Sequence, residues 1–82
     1  MSERTVNLGK RVELRQQRMR LANEAAALRQ QIRMALPVDE DVAGIDSDTI
    51  LSGAISLDQV LAELRGLDKR LAVLDRELGD AR

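Results

Sequence analysis

The side chains with the strongest claim to chemistry are acids and arginines. Asp39, Glu40 and Asp41 stand together, Asp46 and Asp48 follow, and residues 37–56 contain no base. Asp39-x-Asp41-x-x-Gly44 has the opening spacing of a calcium loop, in which alternating carboxylates ligate and a glycine makes the sharp turn. The twelfth position counted from Asp39 is Ile50. A calcium loop needs a bidentate glutamate there, so no calcium is expected and the acids read as a solvated loop. With no His and no Cys the usual zinc donors are also missing, and neither a metal nor a cofactor is expected.

The basic counterpart is Lys10, Arg11, Arg15, Arg18 and Arg20. On one helix these could hold phosphates, as a basic region does ahead of a short zipper. Leu14, Leu21 and Leu28 allow little more than two heptads, no base-reading pattern accompanies them, and the acidic second half would repel DNA. Stacking on single strands needs aromatic rings, and the chain has none. The expectation is instead a solvated face that pairs with the acids of the second helix or of a second chain. Ser47, Ser52 and Ser56 lie near expected helix starts and read as caps, since a nucleophile needs a base beside it. An enzyme is not expected, and neither is a small-molecule substrate.

The net charge of -1 conceals two opposed halves. Residues 1–36 carry eight bases against three acids, and residues 37–82 carry five bases against eleven acids. Such halves attract each other within a chain or between chains. Eighty-two residues make one small domain at most. The core must be Leu, Val, Ile, Met and Ala. No apolar run approaches the length of a membrane span, and Met1-Ser2-Glu3-Arg4 is not followed by an apolar stretch of the secretory kind. No membrane partner is expected, and the default location is a bacterial-type cytoplasm.

The elements that must carry these charges are two helices. Leu57, Val60, Leu64, Leu67, Leu71, Leu74 and Leu78 follow an unbroken 3-4-3-4 spacing, which makes one straight apolar seam on a helix. The second helix is expected over about 57–78. Ser56 and Gln59 have the form of a capping box, Asp58 suits the positive helix end, and Gly79 stands at the C′ position. Gly66 inside it costs about 1 kcal/mol relative to alanine. The first helix is expected over about 5–36, with Ser2, Thr5 or Asn7 as its cap and Pro37 as its stop. Its seam is Leu21, Ala25, Leu28 and Ile32, preceded by Leu14 and by arginine at Arg11 and Arg18. Leu8, Val12, Met19 and Ala26 form a second stripe beside it.

Residues 37–55 are the connection. Nineteen residues without structure would be unusual in a compact domain, so a short helical turn is expected near 47–54, capped by Asp46 or Ser47. A second helix starting there is the alternative, but Gly53 favours a break.

The fold class is therefore all-α: an antiparallel hairpin of two long helices with a short helical turn in the connection. Facing Leu36 with Leu57 makes opposed residue numbers sum to about 93. Arg18 then lies opposite Asp75, and Glu24 opposite Lys69 and Arg70. Residues before about 14 would project past the second helix. Two helices leave one side of each seam open, so two hairpins are expected to form a four-helix bundle as a homodimer. The hairpin and dimer core would be Leu21, Ala25, Leu28, Ile32 and the seven-residue seam. The overhang, with Leu8, Arg11, Val12, Leu14, Arg15, Arg18 and Met19, is the candidate partner-binding surface, because an apolar stripe flanked by arginine suits helix-in-groove recognition; the competing reading is that the second protomer buries it.

The leading expectation is a non-enzymatic protein–protein interaction module: a small adaptor, regulator or inhibitor that docks a helix face on a larger protein. Small cofactor-free helical chains are common among accessory proteins of phages and mobile elements, which is a prior about such chains and not a reading of these residues. A dimeric nucleic-acid-binding accessory protein and a purely structural coiled-coil spacer are the alternatives.

Overall fold

The computed structural model describes residues 2–79. Helix α1 spans Glu3–Met34 and helix α2 spans Ser47–Glu77, with one 3₁₀ turn at Val42–Gly44 between them. The helices pack against each other as an antiparallel hairpin, a slab of 61 × 23 × 14 Å. There is no strand among the described residues.

Both helices start on caps with the same chemistry. Ser2 Oγ accepts from the Thr5 N–H at 3.3 Å, and Asp46 Oδ1 accepts from the Thr49 N–H at 3.1 Å. Each satisfies a backbone donor that the first helical turn leaves free. Helix α1 ends at Ala35, two residues before Pro37, where the proline ring prevents further helix. Helix α2 ends at Leu78, and Gly79 takes φ +76°, the left-handed conformation that glycine reaches without a Cβ clash.

The start of α2 differs from the expectation. It begins at Ser47, ten residues before Leu57, and runs through Gly53 without a break. Ser56 lies inside the helix and caps nothing. The helical turn of the connection falls at Val42–Gly44, where Asp41 accepts from the Ala43 N–H at 3.4 Å. Gly53 is buried, and an added Cβ would stand 3.0 Å from Ile32 Cγ1. The residue read as a breaker is a point of close contact between the helices. The connection shortens to residues 35–46.

This earlier start resets the register. Arg18 pairs with Asp68 and Arg11 with Asp75, both sums being 86 where 93 was expected. The difference is seven, one full heptad. Sliding by a heptad returns every seam residue to a seam position, so apolar periodicity alone cannot tell the two registers apart. The Ile32–Gly53 contact and the ion pairs distinguish them. Arg18 is thus one heptad from the expected Asp75, and Glu24 falls level with Ala62 instead of Lys69 and Arg70.

No overhang survives. Arg4 Nη1 donates to the Leu78 carbonyl at 3.3 Å, and Asn7 Nδ2 donates to Glu77 Oε2 at 3.4 Å. The first turns of α1 therefore lie against the last turn of α2. Leu14 is buried in one cluster with Leu67, Leu71 and Leu74, with Leu21 packed on it.

The seam of α2 is closed within a single chain. Val60, Leu64, Leu67, Leu71, Leu74 and Leu78 are all buried, and Leu57 is half-buried. On α1, Leu21, Ala25, Leu28 and Ile32 are half-buried. The Arg11 side chain is 15% exposed, its aliphatic stem lying along the hairpin while its guanidinium reaches Asp75. A second copy is not needed to cover these leucines, which removes the premise behind a bundle with the seams inside.

Candidate functional site

The candidate partner-binding residues divide between two faces of α1. One heptad ladder runs along α1 through Arg11, Arg18, Ala25 and Ile32. At the open end it is ionic, with Arg11 and Arg18 on Asp75 and Asp68, and towards the connection it is apolar, with Ile32 against Gly53. Arg11 Nη1 lies 3.5 Å from Asp75 Oδ1, and Arg15 Nη2 lies 3.7 Å from the same oxygen. Arg18 donates to Asp68 through both Nε and Nη2. The Asp68 carboxyl is held below its ordinary value chiefly by the hydrogen bond from Arg18, which outweighs the opposing effect of desolvation and is helped by the Arg18 charge. The same contact raises Arg18. Leu14 belongs to the core, so Arg11, Leu14 and Arg18 lie on the hairpin side of α1, and the exposed Arg15 reaches Asp75 from the border with the outer face.

Leu8, Val12 and Met19 do not take part in that contact. They are 36%, 54% and 66% exposed. Their spacing of four and seven residues puts them on one outer face of α1, with Ala26 seven residues further on. Arg15, Arg29 and Arg33 stand at three- and four-residue steps along that face. It is an apolar stripe edged with arginine, as the sequence suggested, but it lies along a packed helix.

Sequence reasoning missed two further surfaces. At the closed end Met34, Leu36, Val38 and Val42 are exposed around the acids Asp39, Glu40 and Asp41. Their signal was present in Met34, Val38 and Val42, which fit neither seam, while Leu36 is a seam residue in the expected register. On the outer edge of α2, Leu51, Ile55 and Val73 are exposed. That edge could not be read while α2 was expected to begin at residue 57.

A depression of about 440 Å³ is open to solvent between the helix ends and is lined by Glu3, Arg4, Asn7, Glu77 and Leu78. Among the described residues no buried side-chain polar atom lacks a hydrogen-bond partner, and no group of acids, His or Cys is gathered as metal ligands. Asp41 and Asp46 are occupied as caps, and Ile50 is half-buried in the first turn of α2. No helix among the described residues is long and apolar enough to cross a membrane.

Comparison with protein-family models, with curated proteins and with solved structures gives no match.

Proposed function

We propose that this hairpin is a non-enzymatic protein–protein interaction module, an adaptor, regulator or inhibitor that acts in the cytoplasm as a homodimer. It docks the outer face of α1 on a larger protein. The observation that carries this reading is the exposure of Leu8, Val12 and Met19 on a helix whose opposite face is already filled by Leu14 and Leu21. Exposed apolar residues in line on a well-packed helix are the anchors of helix-in-groove recognition, and a central apolar cluster supplies most of the affinity of such contacts. The arginines along the stripe select an acidic rim on the partner.

The test is capture from the native cell with the wild-type chain and with a Val12→Asp/Met19→Asp variant, followed by mass spectrometry. Both positions are exposed, so helix content by circular dichroism stays the same. A protein retained by the wild type and lost by the variant supports the reading. Identical captures from both would overturn it.

A second reading, nucleic-acid binding through α1, draws support from Arg4, Arg11, Arg15, Arg18, Arg29 and Arg33, which share one side of the helix by their spacing. Carboxylates already engage three of them, which lowers the charge available to phosphates. Salt-dependent binding to any duplex, abolished by Arg15→Glu/Arg18→Glu with helix content unchanged, would favour that reading instead.

A further inference from the structure

The outer edge of α2 is self-complementary when reversed. Its first half carries Asp48, Leu51, Ile55 and Asp58 at steps of three, four and three residues. Its second half carries Arg65, Lys69, Val73 and Arg76 on the same continuing ladder, with Ala62 between the halves. These residues lie on the side of α2 away from the seam, and all of them are exposed. The ion pairs of the hairpin described above use none of their charges.

The ladder is symmetric about Ala62 in position to within one residue, and its two acids mirror two arginines. Asp48 and Arg76 stand fourteen residues to either side, Leu51 and Val73 eleven, Ile55 and Lys69 seven, and Asp58 and Arg65 four and three. The hairpin as a whole has the same polarity. Residues 21–64 carry two bases against eight acids, while residues 2–20 and 65–79 together carry ten bases against five acids.

We infer that this edge binds a second copy of the chain, α2 against α2, antiparallel about a two-fold axis at Ala62. The inference rests on the reading of the hairpin as a self-associating module and names the face and direction. A two-fold interface places one patch against itself. In the antiparallel sense Asp48 meets the second copy's Arg76, Asp58 meets its Arg65, and Leu51 meets its Val73. Ile55 meets the aliphatic stem of Lys69. Ala62 meets its own symmetry mate, where two methyl groups let the helices approach closely. The parallel sense would set acid on acid and base on base, which is unfavourable at helical spacing. The outer face of α1 fails the same test, because its flanking charges Arg15, Arg29 and Arg33 are all positive. The resulting assembly is a row of four helices with both α1 faces left free for another protein.

Sedimentation equilibrium tests this with the full chain. The wild type should dimerise, more weakly as salt rises. The Asp48→Arg/Asp58→Arg variant has an all-basic edge, and the Arg65→Asp/Arg76→Asp variant an edge of four acids with Lys69 as its one base. Each alone should lose affinity on the order of thirtyfold, since four charge pairs per dimer change sign. Mixed one to one, they should form a heterodimer. The chain has no native Cys, so an Ala62→Cys variant should form an intermolecular disulfide on mild oxidation while Val12→Cys should not. A wild type that stays monomeric would overturn both this inference and the self-association reading. A wild-type dimer indifferent to the charge variants and to Ala62→Cys would overturn the inference alone.

Discussion

Replacing Gly53 by alanine sets two magnitudes of opposite sign against each other. In an exposed helix interior, Gly→Ala stabilises by about 0.5–1 kcal/mol through lower backbone entropy in the unfolded chain. Gly66 is such a position, with nothing within 4 Å of an added Cβ. At Gly53 the same methyl group would stand 3.0 Å from Ile32 Cγ1 and 3.5 Å from its Cδ1. Cγ1 is one bond from the branch point of a stiff side chain, so it moves only if the rotamer changes or the helices separate. Overpacking of this kind costs about 1–3 kcal/mol. Gly53→Ala should therefore come out between neutral and about 2 kcal/mol destabilising, and about 1–3 kcal/mol below Gly66→Ala. Urea unfolding followed by far-ultraviolet circular dichroism measures the difference, at fixed protein concentration because self-association would shift the midpoint. In an Ile32→Ala background the obstruction is gone, and Gly53→Ala should stabilise as Gly66→Ala does, which a double-mutant cycle reads directly. Equal stabilisation by the two substitutions in the wild-type background would refute the close approach of the helices at Gly53.

Two further outcomes follow from the packing and the caps. Leu14→Ala should destabilise by about 2–4 kcal/mol as a core truncation, while Val12→Ala should stay within about 0.5 kcal/mol; the same urea titration compares them, and equal losses would put Leu14 outside the core. Asp46 is held below its ordinary value of 3.8, first by the hydrogen bond from the Thr49 hydroxyl and then by the Thr49 N–H. A lowered carboxylate contributes stability above its unfolded value and loses it as the pH falls through the folded one. Wild-type unfolding midpoints should therefore drop more steeply below about pH 4 than those of Asp46→Asn, which has no such charge to lose; parallel curves would contradict the cap.

The hairpin was legible because its strongest signal is redundant. Leu57 to Leu78 hold the same spacing for seven residues, and Asp46, Gly79 and Pro37 mark ends with chemistry that depends on few neighbours. Gly53 carried two meanings, a costly helix interior and a close contact, and sequence spacing alone favours the first. Only the position of Ile32 across the hairpin makes the second visible. Reading a break there moved the start of α2 to residue 57 and the register by one heptad, and it created an overhang that placed Leu14 on a binding surface. Leu8, Val12 and Met19 kept their place on an exposed stripe because they are off the seam in either register. The outer edge of α2 stayed hidden because half of it lies in the segment assigned to the connection.

The antiparallel register is the claim on which the core, the ion pairs and both outer faces depend, and nuclear Overhauser contacts of Ile32 test it most directly. The fold described here requires contacts between the Ile32 side-chain protons and the Gly53 α-protons. Contacts from Ile32 to Leu61 in their place, the neighbour that a register summing to 93 would bring opposite, would contradict it.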